Sequence, residues 1–151
     1  MAGRQRSYQA EVQLAPEDIE AAVPTTRVVI RHHRAPSVAW SIESASGGHV
    51  LHLALAQCVF NNVMRIAQER GLTVSDVGVT ADGDFNDDGT ASTGITCAVK
   101  LSGAAEHADL IAVAEDAFAD SSVVAVLSRG GPVELVSVVV APGPRPAPST
   151  R

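Results

Sequence analysis

The residues able to do chemistry are few. Cys58 stands in the apolar run ALAQCVF, one turn before Asn61 and Asn62. A thiol is a nucleophile only as thiolate, which needs a cation or a strong hydrogen-bond donor beside it. Without either, a cysteine on an apolar helix is a small core hydrophobe. Upstream, Gly47 and Gly48 precede His49 and His52. Three residues apart, the two histidines share a helix face and could hold a metal or move protons. Cys58 lies ~100–180° around that helix, at ~100° per residue, so this helix alone cannot supply a His/His/Cys metal site. His32 and His33, or a second subunit, would have to complete one; otherwise the pair is a polar pocket or a surface feature.

His49 admits two roles. Gly47-Gly48 lets a ligand approach backbone N–H groups at the helix mouth, where an imidazole could transfer a proton while they hold an oxyanion. If the glycines form only a flexible loop, His49 is a solvated first-turn residue. Asn61 and Asn62 sit ~100° apart, so at most one faces the core, and that one needs a hydrogen-bond partner. Ser121 and Ser122 have no Ser-His-Asp context, and G-x-S-x-G is absent. Cys97 shares a strand face with Ile95 and Val99, which makes it core. Asp84-x-Asn86-x-Asp88-Gly89 fits the first half of a calcium loop, but the twelfth position is Ile95 rather than a bidentate Glu and the flanks read as strands. A solvated hairpin turn is expected there. No metal and no cofactor is called for.

The element that must position most of these residues runs from Gly47 to Gly71, with no Gly or Pro for 22 residues between its opening and closing glycines. Arg65, Glu69 and Arg70 precede Gly71, a good helix C-terminus. Its first half (Val50, Leu51, Leu53, Ala54, Leu55, Ala56) is apolar all round, which predicts burial on every side. One small domain can hardly supply two covering surfaces, so a homodimer is expected. The second half is amphipathic, with Val59, Val63, Ile66 and Ala67 at helical spacing.

Around it the pattern predicts strands at 8–14, 27–33 and 37–43, a connector at 16–24, and two long strands at 72–81 and 90–101 joined by a turn. A second helix follows at about 106–128, interrupted near Asp120-Ser121-Ser122. Gly130-Gly131-Pro132 then turns the chain into Val133–Val140, a near-continuous apolar strand expected to be central in its sheet. The order is three strands, helix, hairpin, helix, strand: an α+β fold with one sheet on two helices. Residues 7–140 form the domain. Residues 1–6 and the proline-rich 141–151 are expected to be disordered.

Hydrophobic residues make up 46% of the 151 residues but aromatics only 3%, so the core must be Val, Leu, Ile and Ala. A net charge of −6 argues against nucleic acid as a partner. No run of 18 or more uninterrupted apolar residues suggests a membrane span, and MAGRQRSYQ lacks a signal-peptide core. A cytoplasmic location is the expectation, with both cysteines free thiols.

The chain resembles the OsmC/Ohr family, the osmotically induced and organic-hydroperoxide-resistance proteins, over roughly residues 7–140. The match is carried by L-x-L-A-L-A-Q-C-V-F at 51–60, similar to the family's apolar helix ending in A-x-C. R-G-L-T-V-S-D-V at 70–77 and S-S-V-V-A-V-L at 121–127 add to it, the latter beside the family's C-P-V-S-x-x-L. The resemblance implies an antiparallel sheet on two helices in an interwoven dimer, with sites at its interface. It also implies a role in stress response, through peroxiredoxin-like reduction of organic hydroperoxides. It puts Cys58 in the peroxidatic position, Ser121 in the resolving position and Ser122 in place of the proline. Ala45-Ser46-Gly47-Gly48 replaces the family's T-N-P-E, so the acidic partner is missing and His49 stands next to its place. The family's arginine could be Arg27, Arg31 or Arg34.

A sulfenic acid without a resolving thiol must wait for an external one or oxidise further. The expected function is therefore a small-molecule enzyme with non-peroxidatic chemistry, possible in a biosynthetic setting: isomerisation, cyclisation or elimination. His49 or Cys58 would be catalytic, and His52, Asn61, Asn62, Ser121, Ser122 and Gly48 would line the substrate. The alternatives are a one-cysteine thiol peroxidase and a non-catalytic binding module.

Overall fold

A computed structural model of the protein describes residues 9–14, 26–31, 38–42 and 46–143. Residues 1–6, the 16–24 connector, His32, His33, Arg34 and the tail from 144 onward lie outside the described residues. So do the side chains of Arg27 and Arg31.

The chain divides into two compact units, Met1–Gly47 and Gly48–Arg151. In the first, β1 (Gln9–Leu14), β2 (Thr26–Arg31) and β3 (Val38–Ile42) form an antiparallel meander in the order β1-β2-β3. Gln9 pairs with Arg31 and Thr26 with Ile42. Alternating apolar and polar residues, such as Ala10, Val12 and Leu14, suit that pleat.

The second unit is built on α1 (Gly47–Glu69), which keeps the boundaries its glycines predict. Gly71 adopts the left-handed conformation (φ 66°), so its own amide and that of Leu72 fold back onto the carbonyls of Gln68 and Ala67. Antiparallel β4 (Val74–Phe85) and β5 (Ser92–Gly103) follow. Next come α2 (His107–Ala119) and α3 (Ser122–Leu127), which cross over to β6 (Val133–Val140). Leu55, Val59, Val63 and Ile66 of α1 share one core with Ile95, Cys97, Val99 and Leu101 of β5 and Leu110, Val113 and Ala117 of α2. Each Leu, Val or Ile side chain among them contributes about 1.5–3 kcal/mol by leaving water.

Two expectations need correction. β4 runs on through Gly83 to Phe85 instead of ending near Ala81, because Gly83 and Asp84 still pair with Ile95 and Gly94. β6 is not central: the order is β4-β5-β6, with β5 in the middle, and β6 runs parallel to β5, so the sheet is antiparallel in only one of its two pairings. The register shifts opposite Cys97/Ala98, where Leu135 and Ser137 are the successive partners. The inserted Val136 inverts the side-chain alternation, so an apolar run that looks buried on both faces points Val136 and Val139 outward, 56% and 50% exposed. Within the single chain the first half of α1 is not covered all round. Leu55 is fully buried, but Val50 and Leu53 are 45% and 52% exposed. By length and composition α1 could cross a membrane, yet its buried residues belong to the core shared with β5 and α2.

Candidate active site at Cys58

Cys58 lies on α1 at one edge of its buried face, and is partly buried. Opposite it the chain turns from α2 into α3. Ser121 caps α3: it is 1% exposed, and its hydroxyl oxygen accepts from the Val124 amide at 3.2 Å. That acceptance leaves the hydroxyl proton free to point elsewhere, and the Ser121 hydroxyl is among the groups that lower the Cys58 pKa. The Ser122 hydroxyl stands 3.9 Å from Sγ. Burial pushes the thiol up. Hydrogen bonds from the Ser121 hydroxyl, the Val123 amide, and the Ser122 hydroxyl and amide more than offset it, holding Cys58 below the ordinary thiol value. Neutral hydrogen-bond donors thus ease the loss of the thiol proton relative to an ordinary cysteine.

Cys97 is the contrast. It is fully buried on the core face of β5, and desolvation alone pushes its pKa to about 11. It is an inert core thiol.

Asn62 and Asn61 divide as their spacing requires. Asn62 donates to the Ala117 carbonyl at 3.1 Å, while exposed Asn61 accepts from Gln57 at 3.0 Å on the outer face of α1. The histidines are placed apart from Cys58. His49 is exposed in the first turn, nine residues from Cys58, which is ~13 Å along the helix and ~180° around it. His52 faces inward and donates from Nδ1 to the Gly48 carbonyl at 2.6 Å; its buried Nε2 has no hydrogen-bond partner among the described residues. Nδ1 must carry the proton, since a carbonyl only accepts. Nε2 lies over Gly83, where an added Cβ would come within 2.6 Å of it and of the Gly94 carbonyl oxygen. Gly48 is thus engaged through its carbonyl in holding His52.

The acidic turn closes on itself. Asp88 accepts from the Thr90 hydroxyl and amide, Asn86 accepts from the amides of Thr90 and Ala91, and Gly89 takes φ 69°. These bonds hold Asp88 below the usual carboxylate range, the Thr90 hydroxyl foremost.

The structure brings together Cys58, Ser121 and Ser122, with Asn62 behind them. The backbone amides of Ser122 and Val123 are the functional groups that residue types could not reveal. The available signal was the Ser-Ser pair ahead of an apolar helical turn, a capping pattern.

The description OsmC-like protein fits residues 43–136 of the chain. No curated protein sequence matches. Among solved structures, the chain is similar to a hypothetical protein from Aquifex aeolicus VF5, at TM-score 0.70 and 13% identity over 93% of this chain and 100% of that one. It is similar also to an OsmC like protein from Mycoplasma pneumoniae, at TM-score 0.63 and 9% identity over 93% and 100%. A third is an organic hydroperoxide resistance protein OsmC from Legionella pneumophila, at TM-score 0.60 and 12% identity over 91% and 100%. Identities this low bear on fold alone. With the family's description fitting more than half its length, the α+β chain belongs to the OsmC-like protein family.

Proposed function

We propose that the protein is a one-cysteine thiol enzyme, with Cys58 as nucleophile and organic hydroperoxides as the substrate class. The observation that carries this reading is the convergence of Ser121, Ser122 and Val123 donors on a partly buried sulfur. The hydroperoxide is suggested by the name of the Legionella pneumophila relative. The thiolate attacks the outer peroxide oxygen and the O–O bond breaks. Cys58 becomes a sulfenic acid, and the departing alkoxide takes a proton from water to leave as an alcohol. Ser121 stands where the resemblance implies a resolving thiol, and Cys97 is buried and held protonated. An external thiol must therefore condense with the sulfenic acid, releasing water and forming a mixed disulfide that a second thiol reduces.

His49 as a general acid or base finds less support, being exposed on the opposite side of α1 from the thiol. We further propose that the protein is a homodimer. Exposed Val50, Leu53, Phe60 and Met64 fall within a stripe ~80° wide on α1, and a second copy would cover it. Free thiols suit a reducing compartment such as the cytoplasm.

The test is consumption of cumene hydroperoxide with dithiothreitol as reductant. Turnover should vanish in Cys58→Ser and persist in Cys97→Ala, and dimedone should label Cys58 after one equivalent of hydroperoxide. If stoichiometric hydroperoxide leaves Cys58 as a thiol, the reading is wrong.

A further inference from the structure

Three ties join the second half of α1 to the end of α2. Two are solvated ion pairs: Arg70 with Asp116, and Arg65 with Asp120 at 3.6 Å. Exposed pairs of this kind hold little. The third, from Asn62 Nδ2 to the Ala117 carbonyl at 3.1 Å, is part-buried. Ala117 is fully buried in the last turn of α2, and the Ser121 amide, which would continue the helical ladder onto its carbonyl, donates to Phe118 instead at 3.1 Å. The chain has begun to turn, and the Asn62 amide takes the carbonyl left over. Four to six residues later come Ser121, Ser122 and Val123, the donors on sulfur. Asn62 itself is one turn on from Cys58 and ~40° around the helix. One edge of α1 thus carries both the sulfur and the clamp on the corner that faces it.

We propose that Asn62 is a positioning residue for the Cys58 centre: its bond to Ala117 holds the α2–α3 corner against α1, keeping Ser121, Ser122 and Val123 within reach of the sulfur. The inference rests on the thiol chemistry proposed above and gives Asn62 a task other than touching substrate. The margin is small. The Ser122 hydroxyl already stands at 3.9 Å from sulfur, and a further displacement of about half an ångström would end that bond.

The experiment is the pH profile of Cys58 alkylation by iodoacetamide, run beside hydroperoxide turnover in the same proteins. Asn62→Leu keeps the bulk and removes the donor; Asn62→Gln keeps an amide. In Asn62→Leu the apparent thiol pKa should rise by about one unit, and turnover near neutral pH should fall about five- to tenfold. Asn62→Gln should recover part of both. Where Asn62→Leu does not fold, Asn62→Ser takes its place with the same expectation. An unchanged profile in the folded variant overturns the role given to Asn62, whatever the substrate. A shifted profile alongside a wild-type protein that reduces no hydroperoxide upholds Asn62 and ends the hydroperoxide reading. A wild-type profile matching an unperturbed thiol overturns both.

Discussion

At Cys58 burial and hydrogen bonding oppose each other, and the donors win; at Cys97 there are no donors and burial acts alone. The same residue type is thus a thiol with a lowered pKa on α1 and a hydrophobe on β5. Ser121→Ala should show how much rests on one hydroxyl, since it removes both the cap of α3 and a donor to sulfur. We expect a loss of about 1 kcal/mol in urea unfolding and an upward shift in the pH profile of Cys58 alkylation. An unshifted profile would mean that the backbone amides suffice. Cys97 gives a second expectation, in stability against pH. Its folded pKa of about 11 lies above the ordinary 9.0, so the unfolded chain releases its proton first. Its share of stability is intact below pH 9 and lost as pH rises through 11, by up to about 2–3 kcal/mol. Urea melts across that window should slope less steeply for Cys97→Ala than for the wild type. Equal slopes would show that Cys97 does not stay protonated in the fold.

Among the elements, the β4–β5 pair carries a close approach that only glycine permits. A Cβ at Gly83 would fall 2.6 Å from the Gly94 carbonyl oxygen and from His52 Nε2. The imidazole can swing aside at the cost of its bond to Gly48, but the carbonyl belongs to the paired strand. Gly83→Ala should therefore cost about 1–3 kcal/mol, read as a lower urea midpoint with an unchanged slope. An unaltered midpoint would contradict the pairing of Gly83 with Ile95. The ties between α1 and α2 lie at the other extreme. Arg70 and Asp116 are both about half exposed, and Arg70→Ala should cost less than about 1 kcal/mol in the same measurement.

For the molecule as a whole, assembly centres on α1. Its inner face fills the core, while Val50, Leu53, Phe60 and Met64 are left facing outward. A stripe of that kind on a surface helix favours a partner surface. Leu53→Lys puts a charge at the most exposed of these positions. Light scattering at micromolar concentration should give a dimer for the wild type and a lighter species for the variant, with the α1 core intact by circular dichroism. A wild-type monomer would remove the basis for a dimer.

What the sequence by itself determined is local. Gly47 and Gly71 bound α1 because backbone freedom is written in residue type, and the 3.6-residue recurrence of Val59, Val63 and Ile66 marks its buried side. The interruption at Asp120-Ser121-Ser122 separates α2 from α3 because capping hydroxyls compete with the helix ladder. The candidate thiol was legible too, through the likeness of residues 51–60 to the OsmC/Ohr helix. What only the tertiary structure decided is which groups meet. Backbone amides carry no residue signature, so the donors of Ser122 and Val123 to Cys58 appear only once α3 is packed against α1. The place of β6 was hidden for a related reason: the bulge at Val136 makes a strand with one outward face look apolar throughout, and edge and centre differ by neighbours rather than by composition. Proximity along the chain is a poor guide to a site, because a site is made by side chains and amides that converge from different elements.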